Sequence, residues 1–121
     1  MIKFKSLNKN AQFLDILKKK KINTKYFAVF FGKKMIHKKS NQCLNISFVV
    51  KKKVGNSVVR NKIKRKLKAA VQKIIREKQP IDLNYTYVIF GRNNVYKDKF
   101  QLIFNEVNDV FKQIKKEPHR Q

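Results

Sequence analysis

The sequence predicts an α+β fold, a two-layer α/β sandwich in the order helix–strand–strand–(strand)–helix–strand–helix. Three observations carry it. Val59, Ile63, Leu67, Ala70, Val71, Ile74 and Ile75 make one apolar seam at helical spacing. Three short segments, 25–32, 44–51 and 84–91, are rich in Val, Ile, Phe and Tyr, the residues that suit a pleated sheet. A last amphipathic stretch, about 97–115, repeats Phe100, Ile103, Phe104, Val107, Phe111 and Ile114 at i, +3, +4, +7, +11 and +14. The economical arrangement is a sheet with helices packed on one face.

Taken in order, residues 9–19 read as a short helix with Phe13, Leu14 and Leu17 on one side, closed by the cations Lys18 to Lys21. Residues 25–32 are extended and apolar on both strand faces. One face must enter the core. The other exposes aromatic rings, against the first helix or as a stacking surface. Residues 33–43 form a polar loop. In 44–51, Ile46, Phe48 and Val50 share a face, with Ser47 and Val49 on the other. Lys51 to Asn56 form a turn, and Pro80 closes the long helix. All 121 residues belong to one domain. Residues 116–121 are expected to be a disordered tail.

Charge narrows the function. The chain holds 31 Lys+Arg against 7 Asp+Glu, a formal net charge of +24. Between Asp15 and Glu77 stand twenty cations and no acid. Such a molecule repels itself when free and fits a polyanion. Ten Phe and four Tyr are too many for a basic disordered tail. The one cysteine, Cys43, excludes an intrachain disulfide framework and a Cys-based zinc module. No apolar run is long enough to span a membrane and no hydrophobic signal segment follows the first residues. A cytoplasmic location is the natural expectation.

Catalytic signatures are missing. His37 lies in a polar loop and His119 in a charged tail, neither beside an orienting carboxylate. Glu106 and Asp109 read as an exposed helix face, not a metal cluster, and no glycine-rich phosphate loop exists. The polypeptide alone is not expected to catalyse.

The basic helix reads differently. Lys51 to Lys68 holds nine cations and no anion in eighteen residues. Arg60, Lys64 and Lys68 make a stripe at i, i+4, i+8, and Lys62, Arg65 and Lys66 widen it. A cationic ladder suits a phosphate backbone better than a point anion. Asn61, inside the stripe, fits either a cap or polar clamp of the helix start or a hydrogen bond to a sugar or base edge.

The stretch Val54-Gly55-Asn56-Ser57-Val58-Val59-Arg60-Asn61-Lys62-Ile63-Lys64-Arg65-Lys66-Leu67-Lys68 resembles the signature of the bacterial ribonuclease P protein components. Leu7 to Phe13 resembles that family's N-terminal start, Lys25 to Phe30 its first strand, and Tyr87 to Arg92 its late strand, so the resemblance covers roughly residues 6–115. Three positions depart from it: Lys62 where an Arg is common, Ser57 where Ala is usual, and Asn45 where an Arg often stands. Lys for Arg loses bidentate phosphate geometry.

The resemblance implies that a partner RNA is the catalyst, cleaving the 5′ leader from precursor tRNA with magnesium ions (Mg2+) held by RNA and substrate, not by protein ligands. The chain would be a subunit of that endoribonuclease. Its partners would be ribonuclease P RNA and precursor tRNA, with no membrane and no obligate protein partner. It further implies a left-handed β-α-β crossover, against the usual right-handed rule. On the residues matched, Lys52, Lys53, Asn56, Arg60, Asn61, Lys62, Lys64, Arg65 and Lys68 would bind the catalytic RNA. Phe13, Leu17, Phe27, Val29 and Phe31, with Lys25 and Arg92 at the rims, are candidates for a leader cleft between the first helix and the sheet. Plain core packing is the equal alternative for Phe13, Phe27 and Phe31. A structural RNA-binding protein, ribosomal or chaperone, is the rival that composition leaves open; the motif at 60–65 argues against it. A DNA-binding architectural protein lacks support, because no recognition-helix pair or dimerisation heptad accompanies the basic helix.

Overall fold

Strand formers crowd three segments of the chain, and these become the three middle strands of the sheet. A computed structural model describes residues 2–7, 10–33 and 43–116. In chain order they form β1 (Lys3–Lys5), α1 (Asn10–Ile16), β2 (Lys20–Asn23), β3 (Phe27–Lys33), β4 (Cys43–Val49), a 3-10 turn (Lys52–Val54), α2 (Ser57–Arg76), β5 (Tyr85–Gly91), α3 (Asn93–Lys97) and α4 (Phe100–Lys116). The sheet order is β1-β4-β5-β3-β2. β1 and β5 both run parallel to β4, whereas β3 is antiparallel to β5 and to β2. The expected α+β architecture is observed, with β4, α2 and β5 as a β-α-β crossover between neighbouring strands.

Register divides the sheet into two faces. Val29 pairs with Ile89 and Phe31 with Tyr87, and from the other side Ile46 pairs with Tyr87 and Phe48 with Ile89. These side chains enter the main core with Ile63, Leu67, Val71 and Ile74 of α2 and Ile103, Val107, Phe111 and Ile114 of α4. The Tyr87 and Phe111 rings meet edge to face at 5.0 Å. Gly91 lets the end of β5 approach α2: a Cβ there would lie 2.6 Å from Ile63 Cγ2 and 2.9 Å from Leu67 Cδ1. Only hydrogen fits that gap.

The opposite face carries Ala28, Phe30, Val88 and Phe90. It is α1 that contacts it, through β5 and β3. The helices therefore do not all lie on one face. Phe13 and Leu17 are half-buried and Ile16 is buried, but Leu14 is 53% exposed and leaves the apolar side expected of it.

Several elements differ from the sequence reading, and the three expected strands shift to 27–33, 43–49 and 85–91. The first helix is shorter than 9–19, and part of its cationic end is β2. Lys is a poor strand former, yet pairing of Lys20 to Asn23 with Phe31 to Ala28 overrides that propensity. β1 has three residues, too few for periodicity to show. The last helix is two helices, because Asp98 is extended (φ −92°, ψ 162°) and separates α3 from α4. Lys116 closes α4. Of the expected loop 33–43 and tail 116–121, Lys33, Cys43 and Lys116 belong instead to β3, β4 and α4, and residues 34–42 and 117–121 lie outside the described residues, as do His37 and His119.

Candidate nucleic-acid interface

Two cationic surfaces lie on opposite faces of the sheet. The first is α2 with the turn before it. The carboxamide oxygen of Asn56 accepts from the Val59 N–H at 3.0 Å and caps the helix. That bond gives Asn56 a structural role in starting α2, while its side chain stays exposed. It also means that the cap is not Asn61, which stays exposed. Lys52 and Lys53 project from the 3-10 turn, both exposed.

Helical residues step by about 100°, so the cations of α2 fall on separate flanks. Arg60, Lys64 and Lys68 form the flank beside β1, where the Lys68 Nζ lies 6.0 Å from the Phe4 ring centre. Arg60 also braces the helix start: its Nε donates to the Gly55 carbonyl at 3.1 Å. Arg65 and Asn61 point outward and are exposed. Lys62 and Lys66 face α3. Lys66 is turned inward, its Nζ donating to the carbonyls of Val95 (3.0 Å), Tyr96 (3.3 Å) and Asp98 (2.9 Å). The stripe at Arg60, Lys64 and Lys68 is thus one continuous row, and Lys66 does not widen it.

The second surface is the α1 side of the sheet. Phe90 packs against Phe13 at 6.3 Å and Phe30 at 5.6 Å between ring centres. All three are half-buried. Lys21 Nζ lies 5.4 Å from the Phe30 ring centre and Lys51 Nζ 5.8 Å from that of Phe90. Rings flanked by ammonium groups offer both stacking and phosphate contact.

The strand residues of the expected cleft are not here. Phe27, Val29 and Phe31 are 1%, 0% and 2% exposed and face α2 and α4. Strand side chains alternate, so placing these three in the core puts Ala28 and Phe30 on the other face. Phe30, Phe90, Lys21 and Lys51 are the residues that sequence reasoning missed. Because residues 26–31 are apolar throughout, alternation offered two equal sets with no signal to choose between them.

The rim residues do come together. The Arg92 N–H donates to the Tyr26 carbonyl at 2.9 Å, and its guanidinium donates to Asn23 Oδ1 at 2.8 Å. Lys25 Nζ is 3.7 Å from Asp98 Oδ2, which also accepts from the Tyr26 hydroxyl at 2.5 Å. That bond, with burial and the Asp98 charge, pushes the Tyr26 hydroxyl up to about 12. Lys25 and Arg92 are exposed at the end of the sheet where Phe27 pairs with Gly91.

Metal chemistry finds no protein site among the described residues: no group of three or more His, Cys, Asp or Glu could hold an ion. Nor is any helix among them long and apolar enough to cross a membrane.

Comparison with known proteins places this geometry. The family model for ribonuclease P matches residues 1–115. The ribonuclease P protein component of Carboxydothermus hydrogenoformans is 32% identical over 117 residues, covering 96% of each chain. That of Mesomycoplasma hyopneumoniae is also 32% identical, over 96% of this chain and 97% of its own. Among solved structures, the RNase P protein of Thermotoga maritima superposes with a TM-score of 0.68 at 24% identity, over 90% of this chain and 96% of that one. An RNase P protein of Staphylococcus aureus superposes at 0.61 with 29% identity, over 91% and 88%. By its motif helix, its sheet and its full-length relatives, the chain belongs to the family of ribonuclease P protein components.

Proposed function

We propose that the chain holds the catalytic RNA of ribonuclease P on α2 and the 5′ leader of precursor tRNA on the opposite sheet face. The observation that supports this best is the pair of cationic surfaces separated by one apolar core. Two polyanions repel each other. A rigid body of charge +24 placed between them lowers that repulsion and fixes their relative position. On α2, Arg60, Lys64, Lys68, Arg65 and Lys62 contact phosphates, with Lys52 and Lys53 at the entry and Asn61 free for a sugar or base edge. On the other face, Phe13, Phe30 and Phe90 stack leader bases beneath Lys21 and Lys51, with Leu17 beside Phe13 and Lys25 and Arg92 at the rim. Stacking tolerates any base, which suits leaders of varied sequence.

In this reading the RNA performs the hydrolysis, the magnesium ions belong to RNA phosphates, and the complex works in the cytoplasm. The test mixes the chain with catalytic RNA and precursor tRNA at low magnesium. Mature 5′ ends should appear in the complete mixture and not with protein alone. Multiple-turnover processing by RNA-free protein would overturn the assignment of catalysis to the RNA.

A further inference from the structure

We infer that Tyr96, held beside Lys62, is a stacking platform for an unpaired base of the catalytic RNA, carrying that interface from α2 onto α3. The inference rests on the reading that α2 binds the catalytic RNA. Four tyrosines occur in the chain. Tyr26, Tyr85 and Tyr87 are 4%, 6% and 0% exposed, whereas Tyr96 is 38% exposed. Its ring centre lies 5.7 Å from Lys62 Nζ. Lys62 is exposed, as are Lys97 and Lys99, which follow Tyr96 in the chain.

The platform is rigid, although α3 has only five residues. Val95 is fully buried beneath it. Lys66 binds the carbonyls of Val95, Tyr96 and Asp98, and the Asn94 carboxamide donates to the Lys25 carbonyl at 3.2 Å. A backbone already fixed in place loses little freedom on binding. Lys66 has three ammonium protons and three carbonyl partners, so Lys62 is the cation of this pair that can reach a phosphate. An aromatic face with an ammonium at its side matches one nucleotide: base on ring, phosphate on Lys62. A base inside a duplex hides its faces, so the nucleotide is an unpaired one.

The experiment uses the full chain and the full catalytic RNA. Tetranitromethane should nitrate Tyr96 in the free protein, and the RNA should protect it. Tyr96→Phe should bind the RNA like the parent. Tyr96→Leu should bind about 5- to 150-fold more weakly, with an unchanged salt slope and melting temperature. Lys62→Gln should instead reduce the salt slope by about one. The chain has no Trp. Tyr96→Trp is then a lone reporter, and its fluorescence should be quenched on binding if the ring stacks. Equal nitration of Tyr96 in the free and bound states, or an unquenched Trp in a complex that forms normally, would overturn the inference while leaving α2 as the RNA-binding helix. Failure of the parent chain to bind the RNA would remove the α2 reading and this inference with it.

Discussion

The ammonium of Lys66 donates to the carbonyl oxygen of Asp98 at 2.9 Å, joining α2 to the bend between α3 and α4 across 32 residues. With Val95 and Tyr96 also accepting, a cation from the most basic helix serves the C-terminal end of a neighbour. Positive charge is favourable there because the helix carbonyls point at it. Lys66→Met should therefore lower unfolding free energy by about 1–3 kcal/mol, since carbonyls with a charged donor are left without it. Lys62→Met should change stability by less than about 0.5 kcal/mol. Urea unfolding of both variants separates the roles; equal losses would contradict them.

Strand alternation makes a contrast within β3. Phe31→Ala should cost about 3–5 kcal/mol of stability and weaken every binding assay together, because the ring is in the core. Phe30→Ala or Phe90→Ala should keep catalytic-RNA assembly intact. Affinity for precursor tRNA should fall by about 1–3 kcal/mol per lost stack, with mature tRNA unaffected. Binding measured with and without a leader, beside melting curves, decides it.

Salt should weaken assembly steeply. Six to eight phosphate contacts imply a slope of roughly −4 to −7 in log affinity against log salt. Arg60→Ala and Lys64→Ala should each make the slope less negative by about one. A titration of catalytic-RNA binding with a slope near zero would contradict the α2 surface.

Lys78 ends α2 in the left-handed region, at φ 56°. The Gln79 N–H reaches the Ile74 carbonyl at 3.0 Å and the Lys78 N–H reaches that of Ile75 at 3.1 Å, the pair of bonds of a helix stop that glycine usually occupies. Lys78→Gly should stabilise the chain by about 0.5–1 kcal/mol, because the strain of a side chain there exceeds the entropy glycine adds. A lower urea midpoint for the variant would refute this.

Alkaline pH should loosen the fold through Tyr26. Its hydroxyl is pushed from 10.0 to about 12, first by the hydrogen bond to Asp98. A raised folded value stabilises fully below pH 10 and is lost as pH rises from about 10 through 12. Tyr26→Phe should be less stable at neutral pH and lose less over that window. Urea midpoints of the two chains should thus converge toward pH 12; parallel curves would exclude the mechanism.

The cap at Asn56 was not legible in the sequence, whereas the α2 seam from Ile63 to Ile74, the turn over Lys51 to Asn56 and the cationic row at Arg60, Lys64 and Lys68 were. They are local: periodicity and spacing along one element place each side chain without knowledge of the rest. The second surface was legible only as a region. Residues 26–31 are apolar on both faces, so which face met α2 depended on the pairing of Val29 with Ile89, a contact sixty residues apart. Pairing likewise made a strand of Lys20 to Asn23, which local propensity opposes. Lys66 shows the same limit from the other side: its sequence neighbours mark it as a surface cation, and only the position of α3 turns its ammonium inward. Long-range contacts, not residue type, decide which of two equivalent faces is core and which cations remain free for a polyanion.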